Sequence, residues 1–271
     1  MTGYQNLHSH STYCDGTLPL EAMIEAALGK GCDSIGFSDH SYVSFETHYA
    51  MSLDDTREYM QDINALKEKY KNRIEVFLGV EQDYFSEGPK DGFDYIIGAS
   101  HYVRMPGGHI TIDAGAKNQK EMVNKYFGGD YYAMAELYFE TVANIVEKTN
   151  ADIIAHFDLI AKYNFDGCLF DETHPRYQTA ALCAMDNILK DCKLFEVNTG
   201  MMYRFNKREP YPSVFLLKEL RKRGGEVILS SDSHDAQSLC YGFNEMLELL
   251  KTCKFKYIKR LTKSGFIDIK L

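Results

Sequence analysis

The stretch Asn6-Leu7-His8-Ser9-His10-Ser11-Thr12-Tyr13-Cys14-Asp15 ends a short apolar run, Tyr4 to Leu7, with two histidines separated by one residue. Side chains two apart on a strand share a face. The imidazoles of His8 and His10 can therefore share one metal ion. Asp15 follows in what reads as the loop after the strand. One His-x-His pair is weak by itself, and its weight comes from recurrence. His40, Glu81, His101, His156 and the Asp232-x-His234 pair each stand just past another strand-like run.

Those runs are Ser34 to Ser38, Ile74 to Val80, Tyr95 to Ala99, Ile153 to Ala155, Leu194 to Val197 and Val227 to Ser230. Helical patterns alternate with most of them. Thr17 is expected to cap a first helix, with Pro19 in its first turn and Leu20, Met23, Ile24, Ala27 and Leu28 at helical spacing. Ser52-Leu53-Asp54-Asp55 resembles a capping box with Asp in place of Glu. Asp130 is expected to cap a helix to about Lys148, Pro175 to open one to about Lys190, and Ser213 to cap one to Arg223. A last helix lies around Gly242 to Lys251, and Tyr257 to Leu271 reads as a hairpin turning near Ser264-Gly265. Residues 102–129, with Pro106, Gly107, Gly108, Gly115, Gly128 and Gly129, read as a long insertion of the kind that is usually functional.

Alternating strands and helices argue for a parallel α/β fold. An open doubly wound sheet gathers its ligands mainly at one switch point. Candidate ligands behind six of seven strands favour closure into a barrel, whose functional groups sit at the carboxyl ends of the strands. No repeat, low-complexity tract or linker divides residues 1–271, so a single barrel domain is expected.

Formal net charge is −9, which disfavours general nucleic-acid binding. No stretch approaches the length of a transmembrane helix, and the N-terminus lacks a signal-peptide layout. The seven cysteines form no C-x-x-C pair, which suits a reducing cytosol, and Cys14 is expected to be a packing residue despite its neighbours. A cytoplasmic enzyme with a small-molecule partner, and neither a nucleic-acid nor a membrane partner, is the expectation.

Six of the nine histidines lie just past a strand end. Carboxylates and imidazoles crowded into one cavity repel or compete for protons unless cations hold them. The ordered motifs Leu7-His8-Ser9-His10 with Asp15-Gly16, Ser38-Asp39-His40, Gly79-Val80-Glu81, Ser100-His101-Tyr102, Ala155-His156 and Ser231-Asp232-Ser233-His234 resemble the polymerase-and-histidinol-phosphatase (PHP) family of metal-dependent phosphoesterases. Gly128-Gly129-Asp130-Tyr131-Tyr132 and the length look like its histidinol-phosphatase branch.

The resemblance implies a distorted seven-stranded (β/α) barrel and three divalent metals. His8, His10, Glu81 and Asp232 would hold the first. Glu81 would bridge to a second, held also by His101 and His156. Asp15, His40 and His234 would hold the third. Nitrogen and oxygen donors without thiolate fit Zn, Mn or Fe. Hydroxide bridging the first two metals would attack phosphorus in line, with Asp232 and His234 passing a proton to the leaving group. Arg204 is the first choice for gripping phosphate, with Lys162 and Arg104 behind it. His109 and Asp113 could contact the substrate's amine or imidazole, while His48 and His174 read as surface residues. Tyr102, Tyr131 and Tyr132 read mostly as packing, though one of them could border the substrate pocket. The implied activity is hydrolysis of L-histidinol phosphate, in histidine biosynthesis. Alternatives are another small phosphoester, amidohydrolase chemistry and a non-catalytic metal-binding domain.

Overall fold

The computed structural model describes residues 3–46, 48–207 and 209–271. In chain order the elements begin with β1 (Tyr4–Asn6), α1 (Leu20–Gly29), β2 (Cys32–Phe37), α2 (Leu53–Tyr70), β3 (Glu75–Asp83) and β4 (Tyr95–Ala99). Next come β5 (Tyr102–Met105), β6 (Gly108–Thr111), α3 (Ala116–Phe127), α4 (Tyr131–Val142), α5 (Ile145–Thr149) and β7 (Ile153–Ile154). Then follow α6 (Pro175–Ile188), β8 (Leu194–Asn198), α7 (Gly200–Phe205), α8 (Val214–Lys222) and β9 (Glu226–Ser230). The chain finishes with α9 (Phe243–Thr252), β10 (Tyr257–Thr262) and β11 (Gly265–Lys270).

Seven parallel strands run in the order β1-β2-β3-β4-β7-β8-β9 and curl into a nearly closed barrel. The seam lies between β9 and β1. At the top, Ser233 N–H donates to the His8 carbonyl at 3.0 Å and His10 N–H to the Ser233 carbonyl at 2.8 Å. Lower down, the Gln5 side-chain amide stands in for a strand. It donates to the Leu261 carbonyl at 2.9 Å and accepts from Leu261 N–H at 2.8 Å, which docks the β10–β11 hairpin across the gap.

Parallel strands covered on both faces are nearly continuous apolar runs, as β4 is. One apolar cluster packs α1 and α2, through Met23, Ile24, Tyr59 and Ile63, against Ile35 and Leu78. The larger one packs α4, α6, α8 and α9 around β7, β8 and β9. Tyr95 fills the barrel interior. A Cβ on Gly79 would lie 2.2 Å from its ring, and one on Gly36 2.4 Å from its hydroxyl, so both positions have to be glycine. The Tyr95 hydroxyl donates to the carbonyls of Leu7 and of Phe37 (3.0 Å for the latter) directly beneath His8.

The Ser52 capping box forms, and Asp130 caps α4 through the N–H groups of Tyr132 and Ala133. Several local expectations differ. Helix α1 begins at Leu20, because Thr17 instead donates its N–H and hydroxyl to the His234 carbonyl. The helix expected over 130–148 breaks at Ala143-Asn144, where the Asn144 amide takes the Glu140 carbonyl and competes with the helical ladder. Ser213 makes no side-chain cap; its N–H donates to Asp158 Oδ2. Residues 102–129 are not an open loop but a hairpin, β5–β6, turning at Pro106-Gly107, followed by α3. Helix α3 was hidden because only Gln119, Met122 and Val123 of it are buried. No described helix is long and apolar enough to cross a membrane.

Candidate metal centre

Six of the seven barrel strands deliver candidate ligands to the same end of the barrel. His8 and His10 follow β1, His40 follows β2 and bridges to Glu81, and His101 follows β4. His156 follows β7, and Asp232 and His234 follow β9. Glu81 is the exception. It sits inside β3, which runs on to Asp83, so both carboxylates point to one face. Asp232 adopts a left-handed backbone with φ 45°, which turns its side chain back over the barrel.

The donor atoms converge. Glu81 Oε2 lies 3.3 Å from His8 Nε2 and 3.6 Å from His10 Nε2. Asp232 Oδ1 lies 3.8 Å and 3.4 Å from the same two nitrogens. A tetrahedral ion with ligands at about 2.0–2.1 Å spaces its donors about 3.3–3.4 Å apart. His8 Nε2, His10 Nε2 and Glu81 Oε2 are buried and have no hydrogen-bond partner among the described residues. Such orphans are costly unless a cation takes them. The donor set therefore fits divalent metal.

Glu81 divides its two oxygens. Its other one, Oε1, lies 3.0 Å from His156 Nε2 and 3.4 Å from His101 Nε2. On the outer side, Asp15 Oδ1 stands 3.2 Å from His234 Nε2 and 3.7 Å from both His40 Nε2 and His10 Nδ1. Three overlapping donor groups result: His8, His10 and Asp232; His10, Asp15, His40 and His234; and His40, Glu81 and His101. His10 belongs to two of them. Burial, with the rings of His234 and His40 against it, pushes the His10 imidazole down to about 3, so it is a neutral donor. Burial also opposes ionisation of Asp232, but Arg204 and His8 hold its carboxyl well below the usual range.

A second layer fixes the rings. His8 Nδ1–H donates to Glu196 Oε2 at 2.8 Å, which directs His8 Nε2 at the cage. Glu196 also accepts from His156 N–H at 2.6 Å, the Asn198 amide at 2.8 Å and the Ser230 hydroxyl at 2.6 Å. Asp83 accepts from His101 twice, from its N–H and its Nδ1. Asp39 accepts from Ser11 and from the Cys14 thiol, fixing the loop that carries Asp15. Cys14 is thus a hydrogen-bond donor to the site's support as well as a packing residue. The reading of the sequence missed Glu196, Asp83 and Asp39 as site residues. The signals were Glu-x-Asp in β3 and Glu-x-Asn in β8, polar alternations inside strands that should be apolar.

Above the donors opens a cavity of about 310 Å³. Arg204 and Lys162 line it. Arg204 lies on α7, and its Nη2 reaches Asp232 Oδ2 at 2.9 Å and the Asp232 carbonyl at 3.0 Å. Gly200 leaves room for that guanidinium, since a Cβ there would lie 3.0 Å from Nη2. Lys162 pairs with Asp113 at 3.1 Å, and Asp113 also lines the cavity. Arg104 is exposed on β5 and does not line it. His109 stacks on Phe45 at 4.1 Å, tying the β5–β6 hairpin to the loop after β2, and is not among the lining residues. His48 is exposed, and His174 caps α6 by accepting from Arg176 N–H. Tyr131 and Tyr132 pack on α4, whereas Tyr102 does border the cavity.

Residues 6–200 match the PHP domain family. The chain belongs to the PHP family. A protein of Deinococcus radiodurans named "Probable histidinol-phosphatase" is 26% identical over 93% of this chain and 94% of its own. A Bacillus subtilis "Histidinol-phosphatase" is 22% identical over 89% of this chain and 97% of its own. The crystal structure of a Lactococcus lactis histidinol phosphate phosphatase, complexed with zinc, L-histidinol and phosphate, superimposes with a TM-score of 0.72 at 19% identity, covering 98% of this chain and 99% of that one. The barrel expected from the strand count, and implied by the resemblance to the PHP family, is the fold observed.

Proposed function

We propose that this PHP protein is a metal-dependent phosphomonoesterase that hydrolyses L-histidinol phosphate to L-histidinol and phosphate. The observation that carries the reading is the division of Glu81: one oxygen faces His8 and His10, the other His101 and His156, at the floor of a cavity that also holds Arg204 and Lys162. The names of the full-length relatives support the substrate, as does the ligand of the neighbouring structure.

In the ligand sets that the family resemblance implies, His8, His10, Glu81 and Asp232 would hold one divalent ion, Glu81, His101 and His156 a second, and Asp15, His40 and His234 a third. Bound there, such ions supply hydroxide at neutral pH and neutralise phosphoryl oxygens. The remaining work falls to the chain. Arg204 and Lys162 hold phosphate oxygens and orient the ester for in-line displacement. The attacking oxygen forms its bond to phosphorus as the ester P–O bond breaks. Asp232, ionised, takes the proton lost by the attacking water. His234, whose Nδ1 lies 3.5 Å from Asp232 Oδ1, passes a proton to the leaving alkoxide.

Metal analysis paired with steady-state hydrolysis of histidinol phosphate tests this. Asp232→Asn is expected to lose mainly kcat. Arg204→Met is expected to lose mainly kcat/KM, with some kcat as well because Arg204 also holds Asp232. Wild-type rates in both variants would remove the assigned roles.

A further inference from the structure

The cavity has a charged end that metal binding and phosphate binding do not use. Five carboxylates line it: Asp15, Glu46, Glu81, Asp113 and Asp232. Asp15, Glu81 and Asp232 belong to the donor cluster. Asp113 is neutralised by Lys162 at 3.1 Å. Glu46 is left, with no Lys or Arg within salt-bridge distance among the described residues.

The hydrogen bonds around Glu46 have a direction. Its Oε1 accepts from His48 N–H at 2.7 Å, with the exposed His48 ring at 3.2 Å. Among the described residues its Oε2 accepts only from the Tyr102 hydroxyl, at 3.3 Å. The Tyr102 hydroxyl has one proton. If it goes to Glu46, the Tyr49 hydroxyl, 2.6 Å away, must donate to Tyr102. Glu46 Oε2 and the Tyr49 oxygen then both face the cavity with unused lone pairs and no proton to give. Two aromatic rings stand beside them. Such a corner accepts a cation with several N–H donors.

Its position fits a ligand charged at both ends. Glu46 lies in the loop after β2 and Arg204 in the helix after β8. In the order β1-β2-β3-β4-β7-β8-β9 these strands are as far apart as a seven-membered ring allows. We infer that Glu46, with the hydroxyls of Tyr49 and Tyr102, forms a subsite for the protonated primary amine of a phosphoester whose phosphate lies across the mouth at Arg204 and Lys162. The inference rests on the phosphomonoesterase reading and assigns the amine of its substrate to a residue.

The test compares kcat/KM for histidinol phosphate, for its des-amino analogue and for the analogue that keeps the amine but lacks the imidazole, in wild type and Glu46→Gln. Thermal melting and metal content establish that the variant is folded and loaded. The ratio of amine-bearing to amine-free turnover should fall roughly 30-fold in Glu46→Gln, the size of a charge-assisted hydrogen bond. A ratio unchanged within about threefold, or sensitivity that follows the imidazole rather than the amine, overturns the subsite. Should Glu46→Gln not fold, inhibition of the wild type decides: L-histidinol must compete more tightly than its des-amino alcohol, and equal inhibition overturns the subsite. A wild type that hydrolyses p-nitrophenyl phosphate but neither imidazole ester defeats the histidinol-phosphate reading. The subsite is then judged by the same ratio measured with 3-aminopropyl and propyl phosphate.

Discussion

Tyr95 in the barrel interior and Glu81 at its rim are both almost wholly inaccessible, yet they are buried on opposite terms. The Tyr95 hydroxyl is shared by the carbonyls of Leu7 and Phe37, and glycines on β2 and β3 make space for its ring. Glu81 Oε2 and the nitrogens of His8 and His10 that face it have no hydrogen-bond partner among the described residues. An unpaired buried polar atom costs about 1–3 kcal/mol. The interior thus holds polar atoms that stabilise the fold, and the rim holds polar atoms whose pairing is completed from outside the chain. Stability and activity should therefore respond to different substitutions.

The sharpest way to break this contrast is Glu81→Gln. It removes the charge shared by two donor groups, and turnover of histidinol phosphate should fall by about a thousandfold or more. The variant's melting temperature should no longer rise on adding divalent metal, whereas that of wild type does, as expected when a ligand binds only the folded state. Retained turnover with normal metal content would refute the bridging role. Tyr95→Ala should do the reverse. Losing a buried aromatic costs about 3–5 kcal/mol in urea unfolding, while the fraction that remains folded keeps its metal stoichiometry. Equal loss of metal in the two variants would erase the distinction.

Glu196→Gln tests the layer between. Four donors converge on Glu196, and four acceptor sites are what an ionised carboxylate offers. An amide accepts at one oxygen only, so two donors lose their partner. Metal affinity should drop about 10–100-fold by competition titration, with a smaller change in unfolding. Unaltered affinity would make Glu196 a structural residue only.

Asp113→Asn should have the smallest effect. Burial raises the Asp113 carboxyl, but Lys162 with the Thr111 hydroxyl brings it down to about 2. A carboxyl held below its unfolded value of about 3.9 stabilises the fold at higher pH, and that stabilisation is lost as pH falls towards the folded value. The variant should be less stable than wild type by about 1–2 kcal/mol at pH 7. The gap should narrow as pH falls from about 4 towards 2. A gap that widens in acid would mean that Lys162 is not its partner.

Strand count, barrel closure and the positions of the candidate donors were legible because strand-end histidines and carboxylates interrupt apolar runs. The supporting groups were harder to read. Glu196 and Asp83 sit within strands, where sequence alone does not reveal which face looks inward. The hairpin and helix over 102–129 carry glycines that serve the tight turn at Pro106-Gly107 but also mimic an open loop. Arg104 was a candidate because it follows His101 and His109 because it lies in the insertion, but the hairpin carries Arg104 to the surface and stacking turns His109 onto Phe45.

The rung between Ser9 and Ser233 has a consequence for biosynthesis. It lays His8 and His10 beside Asp232 and His234, made more than two hundred codons later. Until that late segment emerges, the nascent polypeptide lacks a complete set of donors, however well its earlier helices have collapsed. Capture of ions in the full cage thus waits for that segment, and a product truncated before Asp232 would carry His8 and His10 without those partners.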